Sequence, residues 1–244
     1  MTYLTGFHAM EEFVQSGSTT GATLLVAAAG PRIKAILERA RKAGLSIQRT
    51  SSAELDALAP DNRGAAIRIE GTSTPTELDL ETWLQGALPS NALVIILDHI
   101  EDPHNLGAVL RSADVFAADL VIMPERRAAR ETDTVARASA GAVAYVPIAT
   151  VANLARAVEL LKEAGFWTYA ADMGGQSLPD AELSGRVAIV MGGEGSGVSR
   201  LLKERCDGAL SIPQYGHVDS LNVSVAAGVL LYELRRRLGP PSRA

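Results

Sequence analysis

The chain has 244 residues, of which 47% are hydrophobic and 21% charged, the profile of a soluble globular protein with a sizeable core. It contains no run of about 18 apolar residues and no basic, apolar leader, so we expect no membrane span, no signal peptide and a cytoplasmic location. Its single cysteine, Cys206, excludes an intrachain disulfide and a cysteine-built metal site.

Charge is distributed unevenly along the chain. The formal net charge of −5 argues against a nucleic-acid-binding protein, which is more often basic. Residues 1–75 nevertheless carry eight Lys and Arg against seven Asp and Glu, a net charge of +1, which leaves −6 for the rest. Basic residues also cluster at 39–42, 126–130 and 235–237. Such clusters can bind phosphate groups, or they can be ordinary solvated helix faces.

The first seventy residues alternate between helical and strand-like patterns. Pro31 fits the first position of a helix that Gly44 ends, and Ser51 with Glu54 resembles a capping box. The predicted elements are a helix at 6–16, a strand at 23–28, a helix at 31–44, a strand at 45–49, a helix at 51–58 and a strand at 65–69. Together they predict a small α/β domain at residues 1–71.

A second domain follows a flexible linker, which we place at residues 72–90 and which carries one short amphipathic helix near Leu80. The domain at 91–244 begins with a continuous apolar run, 92–97, typical of a strand buried on both faces of a parallel sheet. The later predicted strands are 120–123, 143–146, 167–171, 187–191 and 209–212. The predicted helices are 105–116, 132–139, 151–164, 199–205 and 221–238. This alternation predicts an α/β fold with an open, mostly parallel sheet flanked by helices.

A polar loop follows the first buried strand, where parallel α/β sheets bind ligands. Within it Asn105 is a suitable N-cap, Gly107 permits close approach, and Arg111 can point along the helix face toward the loop. Alternatively, Asn105 only caps the helix and Arg111 is only a surface residue. The neighbouring His and acidic residues fit no familiar ligand spacing, so we expect no metal.

A glycine-rich loop spans residues 192–197. A phosphate-binding P-loop would require Lys where Val198 stands, and the same residue is too large for the third glycine of a dinucleotide fingerprint. What remains is a loop whose bare backbone can approach a planar polar molecule, with Glu194 as its one charged side chain. The alternative is that the glycines only make a tight turn.

The third polar stretch runs from the predicted strand at 209–212 to the last helix. Pro213 and Gly216 lie in its loop, and Ser220 and Asn222 open a helix of small apolar residues. Because this unit follows the glycine-rich loop closely, the two together predict one ligand site.

Three motifs carry a resemblance to a known family. They are Asn105-x-Gly107-x-x-x-Arg111, the stretch 191–197, and Ile212-Pro213 followed by 220–226. In this order they resemble the signatures of the SpoU, or TrmH, family of S-adenosylmethionine-dependent RNA ribose 2′-O-methyltransferases. The first seventy residues are similar to the small ribosomal-protein-like RNA-binding domain of members that methylate a guanosine of 23S ribosomal RNA. One departure is the stretch 62–64, Asn-Arg-Gly, where members often carry His-Gln-Gly.

The resemblance implies a fold, a cofactor and partners. The fold is a SPOUT α/β-knot, in which the chain after Ile212 is threaded through a preceding loop to form a trefoil knot. The cofactor is S-adenosyl-L-methionine, and the residues implied to bind it are Gly192, Gly193, Ile212, Leu221 and Asn222. Family members are usually homodimers packed through the last helix. RNA is the implied substrate, and we expect Arg63, Arg41 and Lys42 of the N-terminal domain to contact its phosphates.

The resemblance also suggests catalytic roles. We expect Arg111 to hold a phosphate and stabilise developing negative charge, because a free guanidinium stays protonated and is a poor base. Asn105, Ser220 and Asn222 would orient the substrate and the loop, while Glu194 would fix loop geometry or contact Arg111. Other readings are a transfer RNA or antibiotic-resistance ribosomal RNA methyltransferase, and a non-catalytic RNA-binding or ribosome-assembly factor.

Overall fold

The computed structural model describes residues 2–15, 21–28, 30–69, 78–125, 135, 138–139, 142–217 and 220–241. The chain forms two compact units, Met1–Ser73 and Thr74–Ala244. No helix within the described ranges is long and apolar enough to cross a membrane.

The first unit is built on a four-stranded mixed sheet in the order β1-β4-β2-β3. Its strands are β1 (Thr2–Leu4), β2 (Ala22–Val26), β3 (Ser46–Arg49) and β4 (Ala65–Ile69). Its helices are α1 (Phe7–Gln15), α2 (Pro31–Lys42) and α3 (Ser52–Leu58). The predicted elements of this unit are confirmed, and β1 is an addition because three residues are too few to show strand alternation.

The cap of α3 is the predicted capping box. The Ser51 side chain accepts a hydrogen bond from the backbone N–H of Glu54 at 3.2 Å. Hydrogen bonds from the Thr50 hydroxyl and from the Ser51 backbone N–H lower the pKa of the Glu54 carboxyl. The helix therefore begins where the sequence predicts.

The second unit is built on a six-stranded sheet in the order β10-β8-β9-β5-β6-β7, and every adjacent pair is parallel. Its strands are β5 (Leu93–Asp98), β6 (Leu120–Pro124), β7 (Ile148–Val151), β8 (Phe166–Ser177), β9 (Arg186–Gly192) and β10 (Gly208–Ser211). Its helices are α4 (Leu80–Leu84), α5 (Pro103–Val115), α6 (Leu154–Glu163), α7 (Arg200–Arg205) and α8 (Val223–Leu238). The predicted parallel α/β fold is confirmed.

The core lies on both faces of this sheet. Along β5, Leu93, Ile95 and Leu97 pack into the cluster that contains residues of α5 and α8. Val94 and Ile96 face the opposite way, into the cluster that contains residues of α6 and α7. Burial on both faces explains why this strand reads as a continuous apolar run.

The predicted strand at 143–146 is wrong. Residues Ala142–Ala144 form a short 3-10 helix, and the next strand is β7, five residues later than predicted. Ala142 and Val146, four residues apart, are buried whereas Tyr145 is 54% exposed, a spacing that fits a helical turn. The run is too short for its hydrophobic period to be recognised in the sequence. Most of the predicted helix at 132–139 lies outside the described residues.

The described part of the predicted linker packs on the second unit. Leu80 is buried in the same core cluster as residues of α6, and the backbone N–H of Leu78 donates to the carbonyl of Ile148 at 3.0 Å. The segment at 78–90 is therefore packed on the second unit and belongs to it.

Candidate functional site

The three motif loops leave one edge of the parallel sheet. β5 ends at Asp98 and β9 at Gly192, and these two residues are register partners. The backbone N–H of Gly193 donates to the Asp98 carbonyl at 2.8 Å. β10 ends at Ser211, and since all six strands are parallel, its loop leaves the same edge. This is the edge where α/β sheets bind ligands.

Asp102 caps α5, so the prediction that Asn105 is the N-cap is wrong. The Asp102 carboxylate accepts from the backbone N–H of His104 at 3.0 Å, and Pro103 occupies the first helical position. Proline at that position identifies the preceding residue as the cap, a signal already present in the sequence. The Asn105 side chain is left for tertiary contacts and is buried.

Asn105, Glu194 and Asn222 form one hydrogen-bonded group, which we call the amide–carboxylate cluster. Asn105 Nδ2 donates to Glu194 Oε1 at 2.9 Å, and Asn222 Nδ2 donates to the same oxygen at 2.9 Å. Asn222 Nδ2 also lies 3.1 Å from Asn105 Oδ1. The cluster thus joins one residue from each motif, across up to 117 residues of sequence.

Asn222 is also the N-cap of α8. Its Oδ1 accepts from the backbone N–H of Ser224 at 2.9 Å and of Val225 at 3.4 Å, and from the Ser224 hydroxyl at 2.6 Å. Because its oxygen faces these donors, its NH₂ group must face Glu194. The helix start therefore orients the cluster.

The glycine-rich loop packs against its own backbone. A Cβ at Gly192 would lie 1.9 Å from the carbonyl carbon of Gly197, and one at Gly193 would lie 2.2 Å from the carbonyl oxygen of His99. These two glycines are required by the fold of the loop, as the tight-turn alternative proposed. Val198, which excludes a P-loop, is buried in the core. Only backbone polar groups of Gly192 and Gly193 can serve a ligand.

A cleft of about 380 Å³ borders the cluster. It is lined by His99, Ile100, Glu101, Asp102, Asn105, Gly193, Glu194, Ser196 and Val223. The buried Asp98 carboxylate hydrogen-bonds to His99 Nδ1 and accepts from the backbone N–H of Ser199 at 2.8 Å. His99 has a φ of 60°, a conformation that non-glycine residues seldom adopt outside functional or constrained loops. The sequence predicts His99 only as part of a polar loop.

The structure does not bring every catalytic candidate into the cluster. Arg111 is exposed on α5, has no hydrogen-bond or ion-pair partner among the described residues, and does not line the cleft. Ser220 is exposed just before the cap of α8. Of the cofactor candidates, Ile212 is half-buried against the core and Leu221 is 43% exposed beside Asn222.

The RNA-binding candidates of the first unit occupy two separate places within that unit. Arg63 is exposed, with a φ of 49°, in a turn that the buried Asn62 holds through hydrogen bonds to Asp56, Ala59 and Gly64. A Cβ at Gly64 would lie 3.3 Å from Ile33, in the first turn of α2. Arg41 and Lys42 are exposed in the last turn of that helix. The rise from Ile33 to Arg41 is about 12 Å, so these are two separate basic positions.

Sequence comparisons agree with this arrangement of fold and motifs. Residues 92–232 match the SpoU rRNA Methylase family, and residues 3–67 match the family described as RNA 2′-O ribose methyltransferase substrate binding. An all-parallel α/β unit that joins these three motifs at one sheet edge is thus a methylase unit of the SpoU type. The chain belongs to the SpoU rRNA methylase family.

Relatives resemble the chain over nearly its whole length. The 23S rRNA (guanosine-2′-O-)-methyltransferase RlmB of Xanthomonas campestris is 39% identical over 97% of both chains. A putative TrmH family tRNA/rRNA methyltransferase of Staphylococcus haemolyticus is 40% identical over 96% of this chain and 95% of its own. An AdoMet-bound rRNA methyltransferase of Sinorhizobium meliloti shares the fold, with a TM-score of 0.67, 22% identity, and coverage of 98% of this chain and 88% of the other.

Proposed function

We propose that the chain is an S-adenosylmethionine-dependent RNA 2′-O-methyltransferase that methylates a guanosine of 23S ribosomal RNA in the cytoplasm. Family membership and the Xanthomonas relative, which is named for this reaction, support the proposal. The observation that carries it is the amide–carboxylate cluster, because its three residues come from the three motifs and meet at the ligand-binding edge.

The cofactor site in this proposal uses backbone groups. Gly192, Gly193, Ile212 and Leu221 would offer N–H and C=O groups to S-adenosylmethionine, which supplies an electrophilic methyl group when bound. The loops leave space for a ligand, since a Cβ at Gly195 or at Gly216 would meet no atom within 4 Å. The backbone of both loops is therefore open to an approaching ligand.

Arg111 is the proposed electrostatic residue. Its guanidinium stays protonated, so it can hold an RNA phosphate and stabilise negative charge on the ribose oxygen. Exposure and the lack of a partner in the described structure leave it available to a substrate. Asn105 and Asn222 act through their hydrogen bonds on the position of Glu194. Ser220, which is exposed just before the cap of α8, would contact the substrate.

The first unit is the proposed RNA-binding domain. The turn held by Asn62 presents Arg63, and the end of α2 presents Arg41 and Lys42, so two separate basic positions can contact phosphates. The 2′-hydroxyl distinguishes RNA from DNA, and a nucleotide in a loop or bulge can be splayed into a cleft more easily than a paired one.

A homodimer formed through α8 is part of the proposal. Val225, Val229 and Tyr232 lie four and three residues apart and are 51%, 38% and 55% exposed, so they form an apolar stripe on one face of the helix. Such a stripe suits an isologous contact between two copies of the chain.

The nucleotide can be identified in cells. We expect 2′-O-methylation mapping to show one 23S guanosine that is methylated in cells with the protein and unmethylated in cells without it. The Staphylococcus relative, named for tRNA or rRNA, supports a transfer RNA substrate as the alternative. A methylation lost from transfer RNA would select that alternative, and an unchanged map would contradict both.

A further inference from the structure

The hydrogen bonds of the cluster fix the orientation of the Glu194 side chain. Asn222 turns its NH₂ group toward Glu194 because its oxygen accepts from the backbone N–H of Ser224. Asn222 also donates to Asn105 Oδ1, which turns the Asn105 NH₂ group toward Glu194 as well. Glu194 Oε1 thus accepts two hydrogen bonds, one from each asparagine.

The second carboxylate oxygen is available to a ligand. Glu194 Oε2 has no hydrogen-bond partner among the described residues, and Glu194 lines the cleft beside Asn105 and Ser196. The two asparagines therefore hold a carboxylate by one oxygen and leave the other unbonded. A group held in one orientation by its neighbours suits a reaction that requires an acceptor at a defined place.

We propose that Glu194 Oε2 accepts the proton of the target ribose 2′-hydroxyl. This assignment rests on the proposed 2′-O-methylation and identifies the proton acceptor of that reaction. Before reaction the hydroxyl donates a hydrogen bond to Oε2. As the oxygen gains a methyl group its O–H bond breaks, and the proton passes to Oε2.

Charge and atoms balance in this step. The sulfonium donor carries one positive charge and becomes a neutral thioether, while the ribose oxygen exchanges a proton for a methyl group. The proton reaches the carboxylate, giving a neutral carboxyl group that later releases it to water. A carboxylate is basic enough because an oxygen that is being alkylated becomes a strong acid. General bases typically contribute about 10²–10⁴-fold in rate.

His99 is the principal rival for this role. It lines the same cleft together with Glu101 and Asp102, and its Nδ1 is hydrogen-bonded to the carboxylate of the buried Asp98. Asp102 caps α5 and so has a structural task. Glu194 is preferred over His99 because two motif residues fix its orientation.

Glu194→Gln tests the assignment with little change in shape. The amide oxygen of Gln can accept both asparagine donors, but its NH₂ group at the Oε2 position cannot take a proton. We expect unchanged thermal unfolding and cofactor affinity, with single-turnover methylation reduced at least 100-fold. Glu163→Gln, an exposed residue of α6, is the matched control and should react like wild type.

Binding supplies a readout that does not depend on turnover. The wild-type protein should bind the RNA fragment that it methylates roughly 10-fold more tightly than the same fragment with a 2′-deoxy target, since the deoxy target cannot donate a hydrogen bond to the carboxylate. In Glu194→Gln this ratio should fall severalfold.

Several results would overturn the assignment. They are a Gln variant with turnover within threefold of wild type, an unchanged binding ratio, or loss of turnover in His99→Gln while Glu194→Gln stays active. If the Gln variant does not fold, chemical rescue provides the test. Added formate should accelerate methylation by Glu194→Ala, and a methylation rate that does not change with formate would contradict the role. A wild-type protein that methylates no RNA would refute the proposed function itself.

Discussion

At the scale of single residues, Asn222 has two separable tasks. Its Oδ1 caps α8, and its Nδ2 lies 2.9 Å from Glu194 Oε1. Asn222→Asp keeps a capping oxygen but sets a second carboxylate against Glu194, whereas Asn222→Ala removes the cap, at a cost of about 1 kcal/mol of unfolding free energy. We therefore expect Asp to reduce methylation roughly tenfold or more while retaining the cap of α8.

Chemical denaturation and single-turnover assays on the same preparations measure these two effects. Equal loss of stability in both variants, or full activity in Asn222→Asp, would show that the cap and the cluster are not linked as described.

Arg111 belongs to the same scale. Because this exposed side chain has no partner among the described residues, Arg111→Ala should leave the melting temperature and S-adenosylmethionine affinity nearly unchanged. Turnover should fall about 100-fold or more if the guanidinium stabilises charge in the transition state. Calorimetry and a methyl-transfer assay test both points, with Arg200→Ala on α7 as the control. Retained turnover would remove Arg111 from the site.

At the scale of elements, the last helix is fixed by an internal arginine. Arg235 is buried and donates to the carbonyls of Phe116 at 3.1 Å and Ala117 at 2.6 Å and to Asp119 Oδ2 at 3.1 Å. All three arginines of the run at 235–237 have partners within the chain, since the two that follow Arg235 pair with Glu233. Their hydrogen bonds, first that from Arg236, lower the pKa of the Glu233 carboxyl to about 2.

Adjacent arginines should consequently differ in their effect on stability. Arg235→Ala should lower the free energy of unfolding by about 3 kcal/mol, because it leaves the carbonyls of Phe116 and Ala117 without this donor and Asp119 without its ion-pair partner. Arg236→Ala should leave the midpoint of unfolding almost unchanged, since an exposed ion pair contributes little. Denaturant titration of the two variants provides the comparison. Equal midpoints of unfolding would show that the hydrogen bonds of the buried Arg235 do not stabilise the last helix.

Local patterns of the sequence predict the elements well where those patterns are long. The run at 92–97 identifies β5 because burial on both faces requires apolar residues throughout. The prediction of Asn105 as the cap of α5 is wrong although Pro103 indicates Asp102, and Val143 lies in a run too short to reveal its period. The contacts of Glu194 depend on residues 28 and 89 positions away, which no local pattern encodes. The trefoil knot stays a prediction.

At the scale of the whole molecule, the stripe on α8 predicts association. We expect a homodimer in light scattering, and we expect Val225→Lys combined with Val229→Lys to give a monomer, because two charges would be buried at the interface. Leu201→Lys, at an exposed position of α7, should remain dimeric. A monomeric wild-type protein, or a dimeric double variant, would exclude α8 as the interface.

Transfer of a labelled methyl group by the purified protein tests the central claim most directly. The protein would be incubated with 23S ribosomal RNA and methyl-labelled S-adenosylmethionine, and the modified nucleoside identified by mass spectrometry. The account predicts label on the 2′-oxygen of one guanosine, and a rate of labelling at least 100-fold lower with Glu194→Gln. Label on a nucleobase, or no transfer to any RNA by the wild-type protein, would contradict it.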